Sequence, residues 1–176
     1  MTYVLLTVRL ALAGVLLVSA VAKVRALDDT RAMVDGLLRR LGPAARRLAR
    51  PAALALIAAE AVTGLALLGP APVARLGLVA ATALTAGFTA LAVVATVTRT
   101  EVACACFGRP TARLGPRHIV RNAPLLGLAV LGLWGSAVAS GPSPALPAVV
   151  LCALTAALIT ALTAFFDDIA ELLATP

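Results

Sequence analysis

The stretch Leu76–Val97 reads LGLVAATALTAGFTALAVVATV, twenty-two residues without one ionisable side chain. As a helix rising 1.5 Å per residue it covers about 33 Å, enough to cross a hydrocarbon core of about 30 Å. The rest of the 176-residue chain is of the same kind: 61% of it is apolar and 13% charged, with a mean hydropathy of +1.02. That composition belongs to integral membrane proteins. Four more apolar runs flank the first, near Tyr3–Ala22, Pro51–Gly69, Ile119–Ser140 and Leu146–Phe166. The expected fold is a single all-α domain over residues 1–176, a polytopic membrane helical bundle of about five transmembrane helices, four forming a core plus one.

The first run also has features of a signal peptide, since Arg9 precedes an apolar stretch ending in Ser19-Ala20-Val21-Ala22. Cleavage there would leave the arginine-rich segment after Lys23 outside the cell, against the positive-inside tendency, so the run is read as a retained helix. Between the first two spans, Asp28-Asp29-Thr30 can cap a helix with Met33, Val34, Leu37, Leu38 and Leu41 on one stripe, ending at Gly42-Pro43. A helix of that pattern lies in the membrane interface.

Orientation follows from the basic residues. Residues 23–50 carry eight Lys/Arg and residues 98–118 carry four, whereas the other two connections hold Arg75 and none. With five spans, the heavily basic connections and the acidic C-terminus fall on the cytoplasmic side and the N-terminus outside. The formal charge of +7 is thus assigned to span orientation and anionic lipid; no aromatic-interleaved basic patch speaks for nucleic acid. Alanine, leucine and arginine in place of lysine fit a high-GC bacterial genome, hence a bacterial inner membrane.

Within the spans, Glu60 is the residue to account for, because a lone carboxylate at membrane depth must be paired or protonated. Candidate partners are Arg9, Lys23 and Arg121. The pairing either fixes helix register or serves a proton-handling or polar-ligand site. Asn122 follows Arg121 and can satisfy backbone groups freed by Pro124. Cys152 is expected to be a small buried hydrophobe. A single histidine, His118, rules out a bis-histidine haem within one chain, and with Cys104 and Cys106 it offers too few ligands for a usual zinc site, so no metal is expected.

The third connection holds the chemistry: Glu101-Val-Ala-Cys104-Ala-Cys106-Phe107-Gly108-Arg109. A disulfide between thiols one residue apart closes a small strained ring, which favours exchange over stapling. Arg99 and Arg109 would favour a thiolate, and Glu101, about one helical turn before Cys104, could accept or return its proton. Cytoplasmic placement of such a pair implies cycling, since resting disulfides are normally extracytoplasmic.

Taken together, Val8-Arg9-Leu10, Ser19-Ala-Val-Ala-Lys23, Glu60 with Gly64, Cys104-Ala-Cys106-Phe107-Gly108 and Arg121-Asn122 resemble the MauE family of methylamine-utilisation membrane proteins, within the DoxX-like superfamily. The resemblance implies a redox-associated protein that assists maturation of the disulfide-rich subunit of methylamine dehydrogenase with a thioredoxin-like partner. The expected function is membrane thiol–disulfide exchange at Cys104 and Cys106, with Cys104 as nucleophile. A second thiol protein, or a quinone held among the helices, would be the electron partner. The alternatives are a non-enzymatic scaffold with incidental cysteines and a small carrier using Glu60, the latter disfavoured by the lack of an inverted repeat.

Overall fold

A computed structural model describes every residue except 40–41, 100–102, 105–111, 114, 139–144 and 175–176. Its elements in chain order are α1 (Thr2–Arg25), α2 (Leu27–Leu38), α3 (Pro43–Arg46), α4 (Ala49–Leu68), α5 (Ala71–Val97), β1 (Ala103–Cys104), β2 (Ala112–Arg113), α6 (Pro116–Val138), α7 (Leu146–Ala164) and α8 (Phe166–Ala174). Five of them, α1, α4, α5, α6 and α7, are long and apolar enough to cross a membrane. The five expected spans are all present, and the bundle is the expected polytopic one.

Helix α1 is the hub. It packs on α4, α6 and α7, while α5 closes the other side of the ring against α4 and α6. The core is therefore α1, α4, α5 and α6, and α7 is added on the far face of α1. Small residues set the close approaches. A Cβ at Gly64 would come within 2.8 Å of Leu17, and one at Gly132 within 2.9 Å of both Leu78 and Val8. Thr82, Thr85 and Thr89 return their hydroxyls to their own helix, as Thr85 Oγ1 does to Ala81 O at 2.7 Å, which satisfies each hydroxyl proton within the span.

The first helix runs three residues past Ala22, through Arg25. The amphipathic helix forms, with Met33 and Val34 buried against Ala49, Ala53 and Ala95. Its expected cap does not. The residue before it is Ala26, with no side-chain cap, and Thr30 turns backward to donate to Ala26 O at 3.0 Å. Asp28 and Asp29 sit in the first helical turn, where they still complement the helix dipole. The α1–α2 junction is too tight for an Asx cap because Ala26 alone separates the two helices. Residues Asp35, Arg39 and Arg46 then tie α2 to α3 by ion pairs, Arg46 Nε to Asp35 Oδ1 at 2.9 Å and Arg39 Nε to Asp35 Oδ2 at 3.3 Å. Gly42, at φ +103°, makes the turn between them.

The described residues of the third connection form a two-residue antiparallel ladder, with Ala103 opposite Arg113 and Cys104 opposite Ala112. β1 lies against α2. The first and third connections thus meet at one end of the bundle, as two intervening spans, α4 and α5, require.

Candidate functional site

Glu60 lies on the α1-facing side of α4 and is fully buried. Of the three cations that could pair with it, Lys23 is the one in contact: Nζ donates to Glu60 Oε1 at 2.7 Å and to Oε2 at 2.9 Å. The helix geometry explains the choice. Side chains on a helix lean toward its N-terminus. The lysine near the end of α1 therefore folds back over Ser19, one turn earlier, and its ammonium reaches toward the membrane interior. Ser19 Oγ accepts from that ammonium and donates to Glu60 Oε1 at 3.3 Å. The ammonium also lies 5.6 Å from the centre of the Phe88 ring on α5, a cation–π contact.

Arg9 does not join this group. It is fourteen residues from Lys23, about 21 Å along the same helix. Because α1 and α4 run antiparallel, Arg9 meets the far end of α4, where Nε donates to Leu67 O at 2.9 Å and Nη2 to Gly69 O at 2.6 Å. Those are carbonyls without helical partners, and a cation at a helix C-terminus suits both them and the dipole. The expectation that Arg9 could serve Glu60 is thus corrected; it is a cap for α4.

Arg121 also has a different principal partner from the one expected. Its Nη1 donates to Asp167 Oδ2 on α8 at 3.0 Å, and its Nε to Asn122 Oδ1 at 3.3 Å. Asn122 therefore spends its carbonyl oxygen on Arg121, and among the described residues its amide makes no hydrogen bond to the backbone freed by Pro124. Both residues still belong to the centre. A small cavity of about 30 Å³ is bounded by Ser19, Lys23, Glu60, Thr85, Arg121 and Asn122. It has room for about one water.

A larger cavity, of about 300 Å³, adjoins it. Phe88 and Asn122 line both. The remaining walls come from α2, α4, α5 and α6, and His118 is its other polar residue. His118 is buried, and Gly115 N donates to its Nδ1 at 3.4 Å.

Cys104 has its backbone fixed in β1, and its side chain lies outside the described residues, as do Cys106 and Glu101 altogether. Cys152 is buried in α7, with Sγ 3.6 Å from Tyr3 O. Sequence reasoning missed Phe88 and Asp167 as members of the polar centre. Ser19 carried a signal, lying four residues before the one lysine. Nothing local marks Asp167 as the partner of a residue forty-six positions earlier.

A family model described as "Methylamine utilisation protein MauE" matches residues 1–135, the stretch that ends with the four-helix core. No curated protein and no solved structure matches the chain.

Proposed function

The chain belongs to the MauE family of methylamine-utilisation membrane proteins, and from that premise we propose that it is a thiol–disulfide exchange protein acting through Cys104 and Cys106. The thiolate of Cys104 attacks a partner disulfide, forming a mixed disulfide and releasing one partner thiolate. Cys106 then attacks the Cys104 sulfur and releases the second. The pair ends as a disulfide and the partner as a dithiol, two electrons having moved; the reverse sequence oxidises a partner. A thioredoxin-like protein fits as the soluble member of such a relay, and maturation or redox upkeep of a methylamine-utilisation protein as its outcome.

The observation that supports this reading most is the β1–β2 pairing against α2, which holds the Cys104 backbone at one end of the bundle, away from the middle of the spans. That end is where a partner in water would meet the bundle. The Lys/Arg balance favours the cytoplasm for that end. Single-cysteine variants, Cys104→Ser or Cys106→Ser, should trap a mixed disulfide with a partner in cells, and the double variant should change that partner's disulfide status. An unchanged status in the double variant sinks the proposal. A membrane-impermeant maleimide that labels the pair in intact cells would reverse the orientation.

A second reading, a scaffold that needs no thiol chemistry, is favoured by one feature. Glu60 accepts from both Lys23 and Ser19 between α1 and α4, as the acid of a structural lock does. It predicts no mixed disulfide with either single-cysteine variant. A carboxylate held by both oxygens on Lys23 argues against Glu60 as the coupling carboxylate of a carrier.

A further inference from the structure

We propose that the 300 Å³ cavity between α2, α4, α5 and α6 is a binding site for a quinone-class molecule, a flat ring with carbonyl acceptors on an apolar tail. The volume is at the lower end of small-ligand pockets. Its walls are almost wholly apolar: Met33 and Leu37 from α2, Leu56 from α4, Leu84 and Leu91 from α5. Into this lining project two polar side chains, His118 and Asn122, four residues apart and so on one face of α6.

Both present donors. Gly115 N donates to His118 Nδ1, which leaves the proton of the neutral ring on Nε2. Asn122 Oδ1 accepts from Arg121, which turns its NH₂ the other way. Neither His118 Nε2 nor Asn122 Nδ2 has a hydrogen-bond partner among the described residues. Both donors are left open to the cavity, and an occupant that carries acceptors of its own can engage them. An acyl chain has none at that depth. A quinone ring has two carbonyl oxygens on an otherwise apolar disc, and Phe88 offers a face for it to lie against.

The entrance suits a ligand that arrives through the bilayer. Ala83 and Gly87, one turn apart on α5, line the cavity and are also exposed on the outer surface of that span. Small residues there leave a gap facing lipid, through which a tail can remain in the membrane. α2 forms the wall toward the end of the bundle, and β1, which contains Cys104, lies against α2. Use of the ring as an oxidant rests on the thiol reading above: two thiols would yield two electrons and two protons to the quinone, leaving a disulfide and a quinol.

The test is equilibrium binding of decylubiquinone to the full chain in nanodiscs, in protein carrying Cys104→Ser and Cys106→Ser so that the result is independent of thiol chemistry. The expected result is saturable binding that decylbenzene, with the same tail and no carbonyl, does not displace. His118→Phe and Asn122→Leu should each weaken it about tenfold, the loss of one hydrogen bond. Gly87→Phe should abolish it. A Cβ at Gly87 meets nothing within 4 Å, so this variant places a ring at the lipid-facing gap without displacing its neighbours and keeps the test decisive should a donor variant fail to fold. Displacement by decylbenzene, wild-type affinity in both donor variants, or wild-type affinity in Gly87→Phe would each overturn the assignment in favour of a lipid-filled gap.

Discussion

Replacing Lys23 by methionine removes the cation from Glu60 while keeping the length of the side chain. The two N–O distances are 2.7 and 2.9 Å and both side chains are at most 1% exposed, so the pair is in direct contact and shut off from bulk solvent. At an effective dielectric constant near 20 the attraction at 2.7 Å is roughly 6 kcal/mol, while removing each ion from water costs several kcal/mol. The net contribution of the intact pair is therefore small, but that of either ion alone is strongly unfavourable. Lys23→Met and Glu60→Leu should each cost about 3–5 kcal/mol, and the double variant should return to within about 1 kcal/mol of the parent. Ser19 can then bond to the carbonyl one turn earlier. Reversible unfolding of the three variants in mixed micelles gives the coupling energy directly. If either single change costs under about 1 kcal/mol, or if the double loss equals the sum of the single losses, the pair is not a coupled lock.

Arg9→Met should destabilise the α1–α4 contact by about 2–4 kcal/mol, because two carbonyls at the end of α4 lose a charged donor; Arg9→Lys, with a single ammonium, should fall between, and the same unfolding assay reads both. Arg99 ends α5 at φ +50°, a conformation glycine adopts without a Cβ clash, so Arg99→Gly should raise stability by about 1 kcal/mol, and a loss would show that its side chain matters more than its backbone. Asp35 is held below the usual carboxylate range, first by its hydrogen bond from Arg46 and then by Arg39. Its depressed folded value means that the α2–α3 tie is fully present above about pH 4 and is lost as pH falls further, through that folded value. Spin labels at positions 32 and 45 should show one narrow distance at neutral pH and a broader spread in acid, and Asp35→Asn should show the broad spread throughout; no acid broadening in the parent would refute the tie.

The spans were legible because a lipid environment imposes long uninterrupted apolar runs, and Leu76–Val97 needs no context to be read. The polar partners were less so. Glu60 announced itself by depth alone, yet the choice of Lys23 over Arg9 depended on the antiparallel setting of two helices and the lean of a side chain. Asp28-Asp29-Thr30 has the composition of a cap, but a one-residue gap between helices decided otherwise. Arg121 and Asp167 are brought together by the return of the chain through α7, which no local pattern encodes. The larger cavity was the least visible, since it is made by what four helices leave unfilled.

Mutual neutralisation of Lys23 and Glu60 also bears on how the protein is made. On translocon scales a charged side chain near the centre of a span opposes insertion by roughly 3 kcal/mol. Helix α4 presents such a residue, and its counter-ion is on α1, the preceding span in the chain. Glycosylation reporters placed after α4 should therefore register less complete insertion in Lys23→Met, with Glu60→Leu restoring it; equal insertion in all three would separate folding from biogenesis. Such a pattern is the one expected of two spans that enter the bilayer as a hairpin, with the order of synthesis, lysine before glutamate, supplying the partner before the acid arrives.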